Sequence, residues 1–341
     1  MKIKRWFFVG IIFLVLTVSI IYFLFLKNEP ICNDGTSYNE CSEIKPYFCS
    51  AGILIENASF CGCSNLSRIN NNKCIAEYQN EPKTIKLNYV LNGKKGEINF
   101  TVYKNLSDYL SEIPRYIETV DGKEATLFDF KLKSLDETYQ RESLLPLVIA
   151  IENSAKTRDD QARIAISIVQ NIPFGGTNKT LRIGSIDIEY YRYPYEVLYD
   201  SMGVCGEKSE LLSFLLRELG YENAFFYYAA ENHEAMGIKC PVEKSLGSSG
   251  YCFIETTGPS IITDYKTEYV SFGQLSSTPQ IIRINGDLTF GENNFYEYSD
   301  AKTLNKIRDS SKNYGTINYI QHLQFNGLVE KYGLQTFEEK F

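Results

Sequence analysis

Gly203-Val204-Cys205-Gly206-Glu207-Lys208-Ser209 leads into a segment with the spacing of a buried helix. Leu211, Leu215 and Leu219 form one i+4 row, Leu212 and Leu216 a second, and Gly220 is a suitable C-terminal stop. A cysteine therefore sits at the N-terminal end of a helix that buries most of its surface. Helix N-termini and neighbouring histidines both lower a thiol's pKa, and the thiolate is the nucleophile. Gly203 and Gly206 let backbone and substrate approach closely. The backbone N–H of Cys205 or Gly206 can donate to a developing oxyanion. Alone, a cysteine at a glycine-rich helix start also fits a small buried hydrophobe. The rest of the chain weighs against that.

Downstream, Ala224–Ala229, His233–Lys239 and Tyr251–Thr256 have strand patterning. His233, one of only two histidines, opens the second, and Glu255 lies near the end of the third. The order is nucleophile, base, orienting acid. If the two strands pair antiparallel, His233 and Glu255 can meet side by side, and the carboxylate can fix the imidazole tautomer and stabilise its protonated form. Cys240 and Cys252 close the loop between these strands and have the opposite parity, so a bridge between them projects away from the site. With His233 opposite Glu255, Cys252 falls opposite Met236 and Cys240 opposite Ser248. A bridge there cannot be a directly opposed pair, so Cys240 must lie beyond the strand end or a bulge must intervene. The other histidine, His322, reads as a helix-surface residue.

Upstream, Asp159–Asn171 carries Ala162, Ile164, Ala165, Ile168 and Val169 at amphipathic-helix spacing, ended by Pro173. Glu196–Asp200 forms a short helical turn ahead of Gly203. Ile85–Leu91 and Glu97–Tyr103 alternate around Asn92-Gly93-Lys94-Lys95-Gly96, a hairpin signal. Leu106–Ile113, Leu144–Asn153 and Asn318–Tyr332 read as helices, and Gln280–Phe290 as a hairpin around Asn285-Gly286-Asp287.

The N-terminus sets the compartment. Lys2, Lys4 and Arg5 precede an uncharged, mostly apolar run, Trp6 to Leu26, closed by Lys27. A bilayer core needs about 20 such residues. The run lacks a small-residue cleavage site, so a signal-anchor helix is favoured over a cleaved signal peptide. The flanking basic residues stay in the cytoplasm, which places everything after Lys27 outside, where disulfides persist. The expected organisation is residues 1–27 as cytoplasmic tip and anchor, 28–76 as a stapled module, 77–84 as a linker, and 85–341 as the main domain.

Cys32, Cys41, Cys49, Cys61, Cys63 and Cys74 supply three bridges whose connectivity is open among about 15 pairings. Metal binding is disfavoured, because the only close pair is a C-x-C. Sequons at Asn57, Asn65, Asn99, Asn105 and Asn178 agree with an outside location. A net charge of −7 gives no electrostatic basis for nucleic-acid binding.

Taken together, Pro194-Tyr195-Glu196-Val197-Leu198, the Gly203–Ser209 block, Asn232-His233 and Phe253-Ile254-Glu255-Thr256-Thr257 resemble the transglutaminase-like superfamily core over about 159–258. The resemblance implies an α+β, papain/transglutaminase-like fold with a nucleophile helix on an antiparallel sheet. It also implies Cys205 as nucleophile, His233 as base and Glu255 as acid. Two features depart from the family pattern. Its histidine is usually followed by a small residue and an aromatic, where this chain has Glu234-Ala235-Met236. Its acid is usually an aspartate in an Asp-Pro-Thr-like turn, where this chain has Glu255-Thr256-Thr257. Tyr199 is the candidate for the upstream oxyanion side chain of some members. The stapled first part after an anchor is similar to extracytoplasmic prokaryotic, archaeal-type proteins.

The functional expectation is a membrane-anchored thiol enzyme acting on amide bonds of a protein or peptide at the cell surface. It passes through a thioester and requires no metal or cofactor. The alternative is a catalytically silent surface module that binds through the same groove.

Overall fold

The computed structural model describes residues 14–17, 31–114, 117, 124–183, 186–269, 273–292 and 294–334. The chain divides into two compact units, Met1–Cys74 and Ile75–Phe341. The run Trp6–Leu26 lies outside the described residues except for Leu14–Thr17, which are helical. Among the described residues no helix is long and apolar enough to cross a membrane.

The first unit is built from two antiparallel hairpins, β1 (Tyr47–Ser50) with β2 (Ile53–Glu56) and β3 (Ser67–Asn70) with β4 (Lys73–Ala76), and a single turn, α1 (Ala58–Cys61). Few of its apolar side chains are buried, so cross-links stand in for a core. The bridges are Cys32–Cys49, Cys41–Cys61 and Cys63–Cys74. Sequence separations of 17, 20 and 11 residues make each a substantial constraint on the unfolded chain.

The second unit opens with a ten-residue hairpin, β5 (Pro82–Leu91) and β6 (Lys94–Tyr103). Its connection is only Asn92-Gly93, both at positive φ (50° and 76°), the two-residue turn that matches strand twist. The stretch expected as a linker belongs to this unit: Tyr78 stacks on Tyr109 at 4.3 Å, and Pro82 and Lys83 are already in β5. Helices α2 (Lys104–Glu112), α3 (Leu127–Leu135), α4 (Thr138–Ser154) and α5 (Arg158–Asn171) follow. Then come a small hairpin, β7 (Thr180–Ile183) and β8 (Ile186–Glu189), a short helix, α6 (Pro194–Asp200), and the cysteine-bearing helix α7 (Cys205–Glu218).

α5 has an amphipathic pattern yet is buried from Gln161 to Gln170, because it lies between β5 and α7. Its polar residues are satisfied inside. Arg163 pairs with Glu297, and Gln161 donates to the Ala155 carbonyl at 3.0 Å.

α7 packs on an antiparallel four-stranded sheet ordered β11–β10–β9–β14, with β9 Asn223–Tyr228, β10 His233–Lys239, β11 Tyr251–Ile254 and β14 Gln280–Ile284. Met236, Ile238, Cys240, Cys252 and Ile254 join the main core. Ala235, Tyr251 and Phe253 join a second cluster with Ala224, Phe226 and Tyr228. The hairpin expected over Gln280–Phe290 does not form. β14 instead pairs with β9, and the chain turns at Gly286 against the backbone of Tyr221 and Glu222, where a Cβ would collide. A two-stranded ribbon, β12 (Glu268–Tyr269) with β13 (Gly273–Gln274), precedes β14. Helices α8 (Tyr296–Tyr314) and α9 (Tyr319–Tyr332) close the unit.

The register between β10 and β11 differs from the direct pairing of His233 with Glu255 considered from sequence, while Cys240 does lie just beyond the strand end. Gly237 faces Phe253 and Ile238 faces Cys252. Glu255, one residue past the ladder, is therefore level with Ala235, two residues from His233. Cys240 is two residues from Ile238, on the other side. Both pairs are diagonal neighbours, offset in opposite directions. No bulge is needed, and the Cys240–Cys252 bridge closes with a Cα–Cα distance of 5.8 Å.

Candidate active site

Val204 is the extended N-cap of α7 and Cys205 its first helical residue. Glu207 fixes this turn, accepting the N–H of Val204 at 2.9 Å and that of Arg192 at 2.7 Å, with the Arg192 guanidinium at 3.0 Å. The first amide of α7 to find a backbone acceptor is that of Lys208, on the Val204 carbonyl. The N–H groups ahead of it, including those of Cys205 and Gly206, point out of the helix end. Cys205 is half-buried and is the one free cysteine among the described residues.

Gly206 is dictated by a close approach. A Cβ there would stand 2.6 Å from the Tyr191 hydroxyl. Gly203 is likewise confined, its missing Cβ facing Lys208 and Val197.

His233 and Glu255 meet at 3.0 Å, imidazole Nε2 to carboxylate Oε2, with both side chains almost wholly buried. The thiol of Cys205 lies near enough to His233 to help raise its pKa. Burial pushes the imidazolium's pKa down. The Cys205 thiol, the hydrogen bond to Glu255 and the carboxylate charge outweigh it and raise the pKa to about 9.

Glu255 reaches His233 diagonally because its side chain is long and its position lies in a turn just beyond β11. Its other oxygen, Oε1, accepts the N–H of Thr256 at 2.9 Å, the N–H of Thr257 at 2.8 Å and the Thr257 hydroxyl at 2.7 Å. The Tyr269 hydroxyl donates to Oε2 beside His233, and its ring lies 4.8 Å from the imidazole. Burial alone would raise this carboxyl's pKa, but the hydrogen bonds and the imidazolium hold it below the ordinary carboxylate value.

The surroundings supply residues the sequence did not single out. Gln170 of α5 donates to the Glu255 carbonyl at 2.9 Å and to that of Ser260 at 3.2 Å, holding the acid's backbone. Lys208 is buried with its ammonium on the carbonyls of Ile172 (2.6 Å) and Thr257 (3.3 Å). Burial lowers its pKa to about 8 against the opposing pull of Glu255. Thr256 donates to the Cys205 carbonyl at 3.3 Å and meets Ser209 at 3.2 Å, tying the Glu255 turn to the start of α7.

Behind the site, Lys131 of α3 bridges Glu210 (2.8 Å) and Glu234 (2.9 Å), all three buried, and Tyr191 donates to Glu210 at 3.1 Å. Burial disfavours the ammonium, but the two carboxylates outweigh it and raise its pKa. Of these residues Lys208 and Ser209 stood within the decisive stretch. Tyr269, on a two-residue strand, carries no sequence signal.

Tyr199 is placed elsewhere: Lys83 donates to its carbonyl at 3.0 Å and stacks over its ring. The hydroxyl beside the start of α7 belongs to Tyr191. His322 sits exposed on α9 with Asn326 at 3.4 Å. Among the described residues no group of three or more His, Cys, Asp or Glu side chains is arranged to hold a metal ion.

No protein-family model matches the chain, and no curated protein matches it. Among solved structures, calcium-bound LapG of Legionella pneumophila is similar to it. The identity is 11%, the TM-score is 0.24, and the match covers 52% of this chain and 98% of that one.

Proposed function

We propose that this chain is a cysteine-dependent enzyme acting on amide bonds, with Cys205 as nucleophile, His233 as base and acid, and Glu255 as the orienting carboxylate. The observation that carries the reading is one continuous chain of contacts. A half-buried thiol at a helix N-terminus lies near enough to an imidazole to act on its pKa, and that imidazole's Nε2 is held at 3.0 Å by a buried carboxylate. The antiparallel sheet under α7 agrees with a papain/transglutaminase-like core, which belongs to the same proposal.

In the mechanism, His233 takes the proton of the Cys205 thiol, Sγ bonds to the amide carbonyl carbon, and the carbonyl electrons move to oxygen, which the N–H groups at the start of α7 receive. The intermediate collapses, the C–N bond breaks, and His233 gives its proton to the leaving amine. A thioester remains. Water or a second amine then attacks, His233 takes its proton, and the thiolate leaves. Water makes the enzyme a peptidase or amidase, and an amine makes it a transamidase. The Cys240–Cys252 bridge and the three bridges of the first unit support an oxidising, extracytoplasmic location. Anchoring through Trp6–Leu26 is part of the proposal.

The test is alkylation by iodoacetamide with the labelled peptide mapped, combined with turnover of a peptide library in water and in added primary amine. Cys205 is expected to be labelled selectively, and His233→Ala to slow it. Cys205→Ala is expected to lose all turnover while its melting transition stays put. Turnover retained in that variant overturns the assignment. A thiol that reacts no differently in His233→Ala favours the silent binding module.

A further inference from the structure

A cavity of about 550 Å³ opens between α8, the loop closed by Cys240–Cys252 and the turn after Ile262. Four lysines line it from three separate elements: Lys244 from the loop, Lys266 from the turn, and Lys302 and Lys306 from one face of α8. Among the described residues none of the four is in an ion pair. Lys302 stacks over the Tyr298 ring at 4.2 Å and Lys244 over Phe295 at 5.3 Å, so two of the cations are held by aromatic faces rather than by carboxylates. The carboxylates lining the space are Glu243 and Asp309, which leaves the cavity net positive on a chain of net charge −7.

The cavity also reaches the strand that leads into the site. Phe253 of β11 lines it, two residues ahead of Glu255 and about 7 Å along the chain. Thr263, on the same wall, donates its N–H to the Phe253 carbonyl at 2.8 Å. A volume of this size suits a short run of side chains. Unpaired ammonium groups converging on a partly apolar cleft recognise carboxylates.

We propose that this cavity is a substrate subsite that takes an acidic stretch of the polypeptide whose amide bond is attacked at Cys205. The proposal rests on the thiol-enzyme reading above. That reaction acts on a polypeptide, so the carboxylates of its own acidic side chains are the anions at hand.

Two measurements on the full chain in detergent test it. In the first, fluorescein-labelled hexaglutamate is titrated onto Cys205→Ala and followed by anisotropy, which needs no catalysis. Saturable binding is expected, weakened at least tenfold by Lys302→Gln with Lys306→Gln and by 0.5 M salt, where screening is nearly complete (Debye length of about 4 Å). In the second, iodoacetyl-capped hexaglutamate and its neutral alanine counterpart compete to alkylate Cys205. The acidic reagent is expected to react at least tenfold faster, an advantage lost in the double lysine variant, while plain iodoacetamide reacts equally with both proteins. Equal rates for the two capped peptides, or hexaglutamate binding indifferent to the two lysines, overturn the subsite. Lysine-dependent binding of oligogalacturonate in place of hexaglutamate overturns its peptide character. Failure of every reagent to label Cys205 would instead strike the thiol-enzyme reading, and the anisotropy arm would still decide the cavity.

Discussion

Replacing Glu255 by glutamine removes one charge and almost no volume, and the structure fixes how the new amide must sit. Oε1 receives two backbone N–H groups and a hydroxyl, so the amide oxygen is held there. The NH₂ then takes the place of Oε2, facing His233 Nε2 and the Tyr269 hydroxyl. Two donors now oppose each other unless the imidazole gives up its Nε2 proton. It then carries its proton on Nδ1, the nitrogen that should receive the proton of Cys205. At 3.0 Å and an effective dielectric constant of about 20, the lost attraction between imidazolium and carboxylate is about 5 kcal/mol. Both charges are desolvated, however, and the net worth of such a charge-assisted bond is about 1.5–3 kcal/mol. The smaller figure governs. At about 1.4 kcal/mol per pKa unit, the His233 pKa should fall by about 1–2 units, from the wild-type value of about 9.

The sign of the stability effect follows. A histidine whose folded pKa is raised adds stability that is complete below its unfolded value of about 6.5. That stability is lost as pH rises through about 9. In Glu255→Gln the loss should come at correspondingly lower pH. The assay is an NMR titration of the histidine Cε1–H resonances. With only two histidines in the chain, His322→Gln assigns them at once. A His233 that titrates at the same pH in both proteins, or near 6.5 in the wild type, would refute the coupling described here.

Lys131→Met should cost about 3–5 kcal/mol in urea unfolding at neutral pH, because it leaves Glu210 and Glu234 buried without their cation. A loss under 1 kcal/mol would mean that water reaches the pair. Gly206→Ala should cost about 1–3 kcal/mol through overpacking against the Tyr191 hydroxyl. It should also slow alkylation of Cys205, and an unchanged alkylation rate would show that Tyr191 moves away freely. Replacing both Cys240 and Cys252 by alanine opens a loop of sequence separation 12 and should lower stability by about 3 kcal/mol. Since the bridge faces the main core, away from His233, the His233 titration should stay in place, and a shifted one would show that the bridge sets the position of β10.

Local chemistry made much of this protein legible. The leucine rows after Cys205, the stop at Gly220, the Asn92-Gly93 turn and the alternation over His233–Lys239 are decided by neighbours in sequence, and each element formed where its pattern lay. The odd cysteine was also legible by count, since nine thiols cannot all pair. The register between β10 and β11 was not. Strand pairing depends on how two segments slide, and two plausible constraints, the His233–Glu255 contact and the Cys240–Cys252 bridge, demanded different alignments. The fold satisfies both by lying midway, so that each pair is diagonal. The connectivity of the first unit was equally undetermined, because six cysteines within a few dozen residues can pair in many ways at similar entropic cost. Tertiary structure alone brought Tyr269, Gln170 and Tyr191 around the site, from positions 170 to 269. A side chain's partners across the fold leave no periodicity in its own segment. Sequence by itself determined which residues are the candidates for the chemistry and the order in which they come. Only the packed structure decided which atoms of those residues meet, because that depends on distances between elements that no local pattern encodes.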